Sequence, residues 1–184
     1  LEGWARFRLA EYLQARNPNS PAVIDKIVPP TVRESLSVQA AYWREALTRL
    51  GDRARCIYSG ERLDIQSFSL DHYLPWSFVC HNQLWNLVPT IGSINSKKSD
   101  SLPAVYYLGK LAELHASALS VLNEPRLDGR WRRAVETYLT DLRLSPCELL
   151  DPGKVRNAYE STISPLAAIA ERQGFESGWE YTGK

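Results

Sequence analysis

The stretch SLDHYLPWSFVCHNQLWNLVPTIGSINSKKSD, residues 69–100, concentrates an acid, an imidazole and carboxamides among apolar residues. Asp71 and His72 are adjacent, and Asn86 and Asn95 follow them. A hydrophobic core needs none of these polar groups, because burying them without partners costs free energy. A solvated loop has no use for the Trp, Leu and Val side chains between them. The stretch therefore favours a functional site on a small folded scaffold.

Short strands and one helix are predicted around these polar residues. The segment 55–62 suggests a hairpin around a glycine turn, and the segments 68–71 and 84–88 have the composition of strands. The residues from Thr90 to Lys98 then predict a short helix. The middle of the chain is therefore expected to be a strand–strand–helix unit.

Helical patterns dominate both sides of this unit. Apolar residues around Trp43 recur at three- and four-residue steps, and Asp151 followed by proline predicts the start of a final helix. We therefore predict an α+β fold with three parts: an N-terminal helical region (1–51), a core (52–103) and a C-terminal helical region (104–184).

Composition limits the classes of function. The net charge is only +1, so any contact with nucleic acid must use locally concentrated positive charge. Three widely spaced cysteines indicate a reducing compartment and no disulfide framework, which predicts a cytoplasmic protein. No membrane association is expected, because no apolar run approaches the roughly 20 residues of a spanning helix. A chain that opens on Leu1 and lacks methionine is expected to be a fragment of a larger protein.

The polar residues suit the hydrolysis of a phosphodiester. This reaction needs an activated nucleophile, and it needs stabilisation of negative charge on the phosphate and on the leaving oxygen. A neutral imidazole such as His72 can take a proton from water. Oxygens from Asp71 and Asn95 can bind a hard divalent cation that stabilises the charge. Because neighbours on a strand point to opposite sides, Asp71 and His72 are expected to flank one phosphate.

The order of these residues resembles the HNH endonuclease family, whose core is called ββα-metal. The resemblance rests on Asp71-His72-x-x-Pro75-x-Ser77, then Asn86-Leu87, then Asn95, then Lys98-Ser99-Asp100. In this order it is similar to the HNH domain of CRISPR effector nucleases. It covers roughly residues 55–103, so both helical flanks lie outside it.

The resemblance implies a role for each matching residue. His72 would be the general base, and Asp71 and Asn95 would bind the metal, Mg²⁺ or Mn²⁺. Asn86 would hold the loop between the strands and orient His72, although an asparagine before a strand is also a common turn residue. The substrate would be DNA, and the products would carry a 5′-phosphate and a 3′-hydroxyl.

One departure from the family concerns zinc. Many members brace this core with a zinc ion bound by two C-x-x-C pairs, which here would fall at Cys56 and Ser59 and at Ile91 and Ile94. Only one of the four sulfurs is present, and a tetrahedral zinc site needs four good ligands. We therefore expect no structural zinc and expect side-chain packing at this junction.

Three further residues are candidates for contact with nucleic acid. Lys97 and Lys98 follow the predicted metal-binding helix and can reach the DNA backbone, or they can simply complement the helix dipole. His81 lies in the loop between the strands, where a phosphate contact or plain exposure is favoured over a role as third metal ligand.

The resemblance and the residues together predict a prokaryotic, intracellular, metal-dependent HNH endonuclease that acts on DNA. It is expected to be the effector of a restriction or phage-defence system, with further domains or a regulatory partner. One alternative is a DNA- or protein-binding module that keeps the scaffold without turnover. Another is the same site directed at RNA.

Overall fold

The computed structural model describes residues 1–28, 34–122 and 131–183. Within these ranges the fold is rich in helix, with a two-stranded sheet of β1 (Ser69–His72) and β2 (Leu87–Thr90). The α-helices of the same ranges are α1 (Glu2–Arg16), α2 (Val23–Ile27), α3 (Ser37–Leu50), α4 (Trp76–Val79), α5 (Gly92–Lys98), α6 (Tyr106–Leu122), α7 (Arg132–Thr140) and α8 (Pro152–Arg172). The fold is therefore of mixed α+β type, as the sequence predicts.

The two strands pair antiparallel, and α5 follows the second strand directly. Asp71 lies opposite Val88 and His72 opposite Leu87 in this register. The order strand, strand, helix agrees with the sequence pattern, while the assignment of this unit as a ββα-metal core stays a prediction.

The second strand begins later than the sequence predicts. Residues Leu84–Asn86 form a 3₁₀ turn, with the Asn86 amide donating to the carbonyl of Gln83 at 3.1 Å. The Asn86 side chain bonds to the backbone of Leu74, so it holds a loop and does not extend the sheet. The predicted hairpin at 55–62 is also shorter than expected, because Arg55 and Arg62 pair only in a single bridge around Gly60.

The helical flanks and the middle of the chain share one hydrophobic core. Trp43 and Leu47 of α3 are buried against the same cluster as Leu111 of α6 and Tyr159 of α8. Asp151 caps α8 by accepting from two backbone amides, as its position before a proline predicts. In the described part of the chain, no helix has the length and apolar character to cross a bilayer. The division into three regions stays a prediction.

Candidate active site

A cleft of about 320 Å³ brings together three of the residues that the sequence singles out: Asp71, His72 and Asn95. Asp71 and His72 end β1, and Asn95 lies in the first turns of α5. The antiparallel sheet and the direct link from β2 to α5 therefore place the strand end beside the start of the helix. The remaining lining residues are Glu34, Leu36, Leu70, Pro75, Trp76, Asn82, Ser99 and Asp100.

Asp71 is buried at the inner wall of the cleft and accepts from two donors. The Tyr58 hydroxyl donates to Oδ2 at 2.6 Å, and the Lys98 ammonium donates to Oδ1 at 3.1 Å. Burial raises the pKa of the Asp71 carboxyl, and the nearby charge of Lys98 and the hydrogen bond from Tyr58 oppose this rise. The carboxylate is thus held by a charged donor and a neutral donor.

Lys98 lies in a different place from the one expected of a DNA contact. Its side chain is completely buried, and Nζ also donates to the carbonyl of His72 at 2.8 Å. The ammonium points into the protein, so we do not propose a contact between Lys98 and DNA. Lys97 is exposed, with Nζ 5.9 Å from the centre of the Tyr181 ring.

His72 is half-buried, and Asn82 bonds to its ring. The His72 Nε2 atom lies 3.0 Å from Asn82 Oδ1, while the Asn82 amide nitrogen donates to the Glu34 carbonyl at 3.2 Å. Because the amide nitrogen is used in this way, the amide oxygen faces His72, and Nε2 must carry the proton of the neutral ring. The basic lone pair of the neutral ring is therefore on Nδ1.

Asn86 is buried and lies outside the cleft lining. Its side chain accepts from the Leu74 amide at 2.8 Å and donates to the Leu74 carbonyl at 2.9 Å. Its own carbonyl accepts from the Tyr73 amide at 2.9 Å. Asn86 thus holds the two residues that follow His72, which makes it a positioning residue for the predicted base.

Asn95 is half-buried, and its amide nitrogen faces the Leu70 carbonyl at 3.4 Å. This weak bond leaves the amide oxygen as the end of the side chain available to a cation. Asp71 and Asn95 both line the cleft, and their side-chain oxygens are of the type that Mg²⁺ or Mn²⁺ prefers. Among the described residues, no group of three or more His, Cys, Asp or Glu side chains is close enough to bind a metal. Two protein oxygens suffice where water and phosphate complete the coordination, so the types of donor fit. A cation at Asp71 would compete with Tyr58 and Lys98, which already donate to its two oxygens.

His81 lies outside this cleft. It lines a neighbouring groove of about 690 Å³, which shares Glu34, Trp76 and Asn82 with the cleft. Its Nδ1 accepts from the Gln83 amide at 3.3 Å, and burial lowers the pKa of its ring. The predicted contact of His81 with nucleic acid stays a prediction.

Two residues of the site were missed by reasoning from the sequence: Tyr58 and Asn82. Tyr58 reaches Asp71 from the turn before β1 and packs edge-on against Tyr107 and Trp179, with ring centres 5.1 and 5.3 Å away. The C-terminal helical region therefore braces the residue that holds Asp71. No local pattern indicates either partner, because both contacts depend on how distant segments pack.

The junction where many HNH proteins bind zinc is occupied by side-chain contacts. The Cys56 sulfur lies 3.1 Å from the Thr90 hydroxyl. Ile94 is buried, and Ile91 packs against the same core.

Comparison with known proteins identifies this segment. Residues 56–104 match the family model of the HNH endonucleases. This match confirms the resemblance seen in the sequence, over nearly the same residues. Neither the curated proteins nor the solved structures gave a significant match.

Proposed function

We propose that this chain carries a metal-dependent HNH endonuclease domain that hydrolyses DNA phosphodiester bonds, with His72 as the general base. The observation that carries the proposal is that the matched segment and the residues of the cleft coincide. The segment that matches the HNH endonucleases also supplies Asp71, His72 and Asn95 to one cleft. The match supports nuclease activity, and the residue roles are our proposal.

The bonding of His72 supports its role as base. Asn82 holds Nε2, and Glu34 fixes the orientation of Asn82. His72 would then take a proton from a water molecule that attacks the phosphorus. Asn86 positions the base indirectly, because it restrains the backbone just after His72. An imidazole is suited to this task near neutral pH.

Asp71 and Asn95 would hold the cation through their side-chain oxygens. HNH nucleases generally use a divalent metal ion, and Mg²⁺ or Mn²⁺ suits oxygen ligands. When bound, such an ion stabilises negative charge on the phosphate and on the leaving oxygen. Lys97, exposed at the end of α5, is the lysine we propose for contact with the DNA backbone.

Cleavage of supercoiled plasmid tests the proposal, with Mg²⁺, Mn²⁺ or EDTA in parallel reactions. We expect nicked or linear product with metal and none with EDTA. His72→Ala should slow cleavage about 10²- to 10⁴-fold, the usual contribution of a general base. Asp52→Asn is the control, because Asp52 pairs with Arg62 on the exposed surface outside the cleft lining and should keep the cleavage rate within a few-fold.

Three results separate the alternatives. Cleavage that survives in His72→Ala would contradict the assignment of the base. A folded wild type that binds DNA equally well with and without metal but never cuts it would favour a binding module. Faster cleavage of an RNA duplex than of the matched DNA duplex would redirect the same site to RNA.

A further inference from the structure

We propose that Lys98 is a resident counter-ion that competes with the divalent metal for Asp71, so that metal loading displaces the Lys98 ammonium from the carboxylate. This inference rests on the proposed role of Asp71 as a metal ligand. It gives Lys98, which we had expected to contact DNA, a role in controlling the metal site.

The contacts of Lys98 support this role. Its Nζ lies 3.1 Å from Asp71 Oδ1 and 2.8 Å from the His72 carbonyl, and its side chain is completely buried. An ammonium is thus held against the same carboxylate that would bind the cation. Positive charges within about 4–6 Å of each other repel strongly where water is excluded. A divalent ion bound to Asp71 and the Lys98 ammonium at its present position would therefore destabilise each other.

Lys98 is also the donor that can move. Tyr58, the other donor to Asp71, carries no formal charge, and rings on two sides pack against it. The Lys98 ammonium is on a flexible four-carbon stem at the last residue of α5. Asp100 lies exposed on the rim of the same cleft, where it offers a second carboxylate to a displaced ammonium. A bound divalent ion would have to offset the loss of both hydrogen bonds that the buried Nζ makes now.

Direct metal binding is the first test, independent of cleavage. Titration of Mn²⁺ followed by the electron paramagnetic resonance of free Mn²⁺ compares wild type with Lys98→Met, which keeps the stem and removes the charge. We expect Lys98→Met to bind Mn²⁺ at least 10-fold more tightly, and Asp71→Asn to abolish binding. Equal or weaker binding by Lys98→Met, with circular dichroism showing a folded protein, would overturn competition.

Amine labelling of the wild type is the second test, and it stands even if Lys98→Met does not fold. Acetylation read by mass spectrometry should leave buried Lys98 unreactive without metal and label it at least 10-fold faster with saturating Mn²⁺. Lys97 is the matched control, because it is exposed and should react equally in both conditions. Protection of Lys98 that persists when Mn²⁺ is bound would overturn the inference.

The tests also separate this inference from the proposed function. If Mn²⁺ binds through Asp71 and Lys98 becomes reactive but plasmid is not cut, the inference stands and the endonuclease proposal fails. If wild type and Lys98→Met both bind no Mn²⁺, the metal assignment of Asp71 and the inference built on it are overturned together.

Discussion

Two buried polar clusters of this protein differ in how they carry charge. The Asp71 cluster consists of Asp71, Lys98 and Tyr58 and lies at the cleft. The His115 cluster consists of His115, Tyr138 and Tyr159 and lies among the helices. His115 Nδ1 is 2.6 Å from the Tyr138 hydroxyl, and the rings of His115 and Tyr159 are 5.2 Å apart. One cluster pairs opposite charges, and the other contains neutral groups.

Burial acts on both clusters, but only one has a charged partner. In the Asp71 cluster, burial raises the pKa of the carboxyl, and the Lys98 ammonium opposes it. In the His115 cluster, burial lowers the pKa of the imidazole to about 3, which a backbone contact with Leu87 only partly opposes. His115 is therefore a neutral packing residue. A buried titratable residue indicates function here only where a counter-charge and a cleft accompany it.

The largest loss of stability is expected when one charge of the Asp71 cluster is removed. Asp71→Asn leaves the Lys98 ammonium buried without its counter-charge and should lower the free energy of unfolding by about 3–5 kcal/mol. Urea denaturation at pH 7 measures this loss. The matched control is Asp52→Asn, because Asp52 pairs with Arg62 at 2.9 Å on the exposed surface and should show no measurable change.

A double variant checks the cause of that loss. Asp71→Asn combined with Lys98→Met removes both charges, so it should lose less stability than Asp71→Asn alone. A loss that equals the sum of the two single losses would mean that the pair is not coupled.

The second, smaller effect is a pH dependence of stability that the neutral His115 cluster should cause. Below the ordinary pKa of 6.5, the unfolded chain protonates His115 while the folded protein does not. Stability is therefore complete above about pH 6.5 and falls as the pH drops towards 3. At about 1.4 kcal/mol for each pH unit, the loss reaches about 2 kcal/mol at pH 5.

Denaturation at pH 8 and pH 5 measures this loss, with His115→Gln expected to remove most of it. The pKa of His81 is also lowered, so His81 adds a loss of stability of the same sign. The protein with His115 and the His115→Gln variant should therefore both carry His81→Gln. Equal pH dependence with and without His115 would show that His115 is not the neutral buried base described here.

The smallest losses of stability are expected when one hydroxyl is removed from each cluster. Tyr58→Phe removes a donor to a carboxylate, for which we expect a loss of about 2 kcal/mol. Tyr138→Phe removes a partner of a neutral imidazole, for which we expect about 1 kcal/mol. Thermal or urea unfolding at pH 7 ranks the two, and a larger loss for Tyr138→Phe would reverse the comparison.

The sequence alone predicts those features that depend on neighbours along the chain. α1 ends at Arg16, just before the Asn17-Pro18 pair, because the residue before a proline resists the helical region. Asp151 caps α8 through its own local amides. The order of β1, β2 and α5 also follows from the local sequence pattern. The motif spacing indicates the family, which the match at 56–104 confirms, while the roles of Asp71, His72 and Asn95 stay predictions.

Other features required the tertiary structure, because they join segments that are distant in sequence. Tyr58 bonds to Asp71 across 13 positions, and Lys98 pairs with Asp71 across 27. From the sequence, Lys98 is a lysine at a helix end and is expected in solvent, like Lys97. In the fold, packing turns one of these two neighbours inward. The sequence determined which residues are candidates for the chemistry. The tertiary structure decided which charges face each other, because electrostatic partners depend on distance and burial and not on order along the chain.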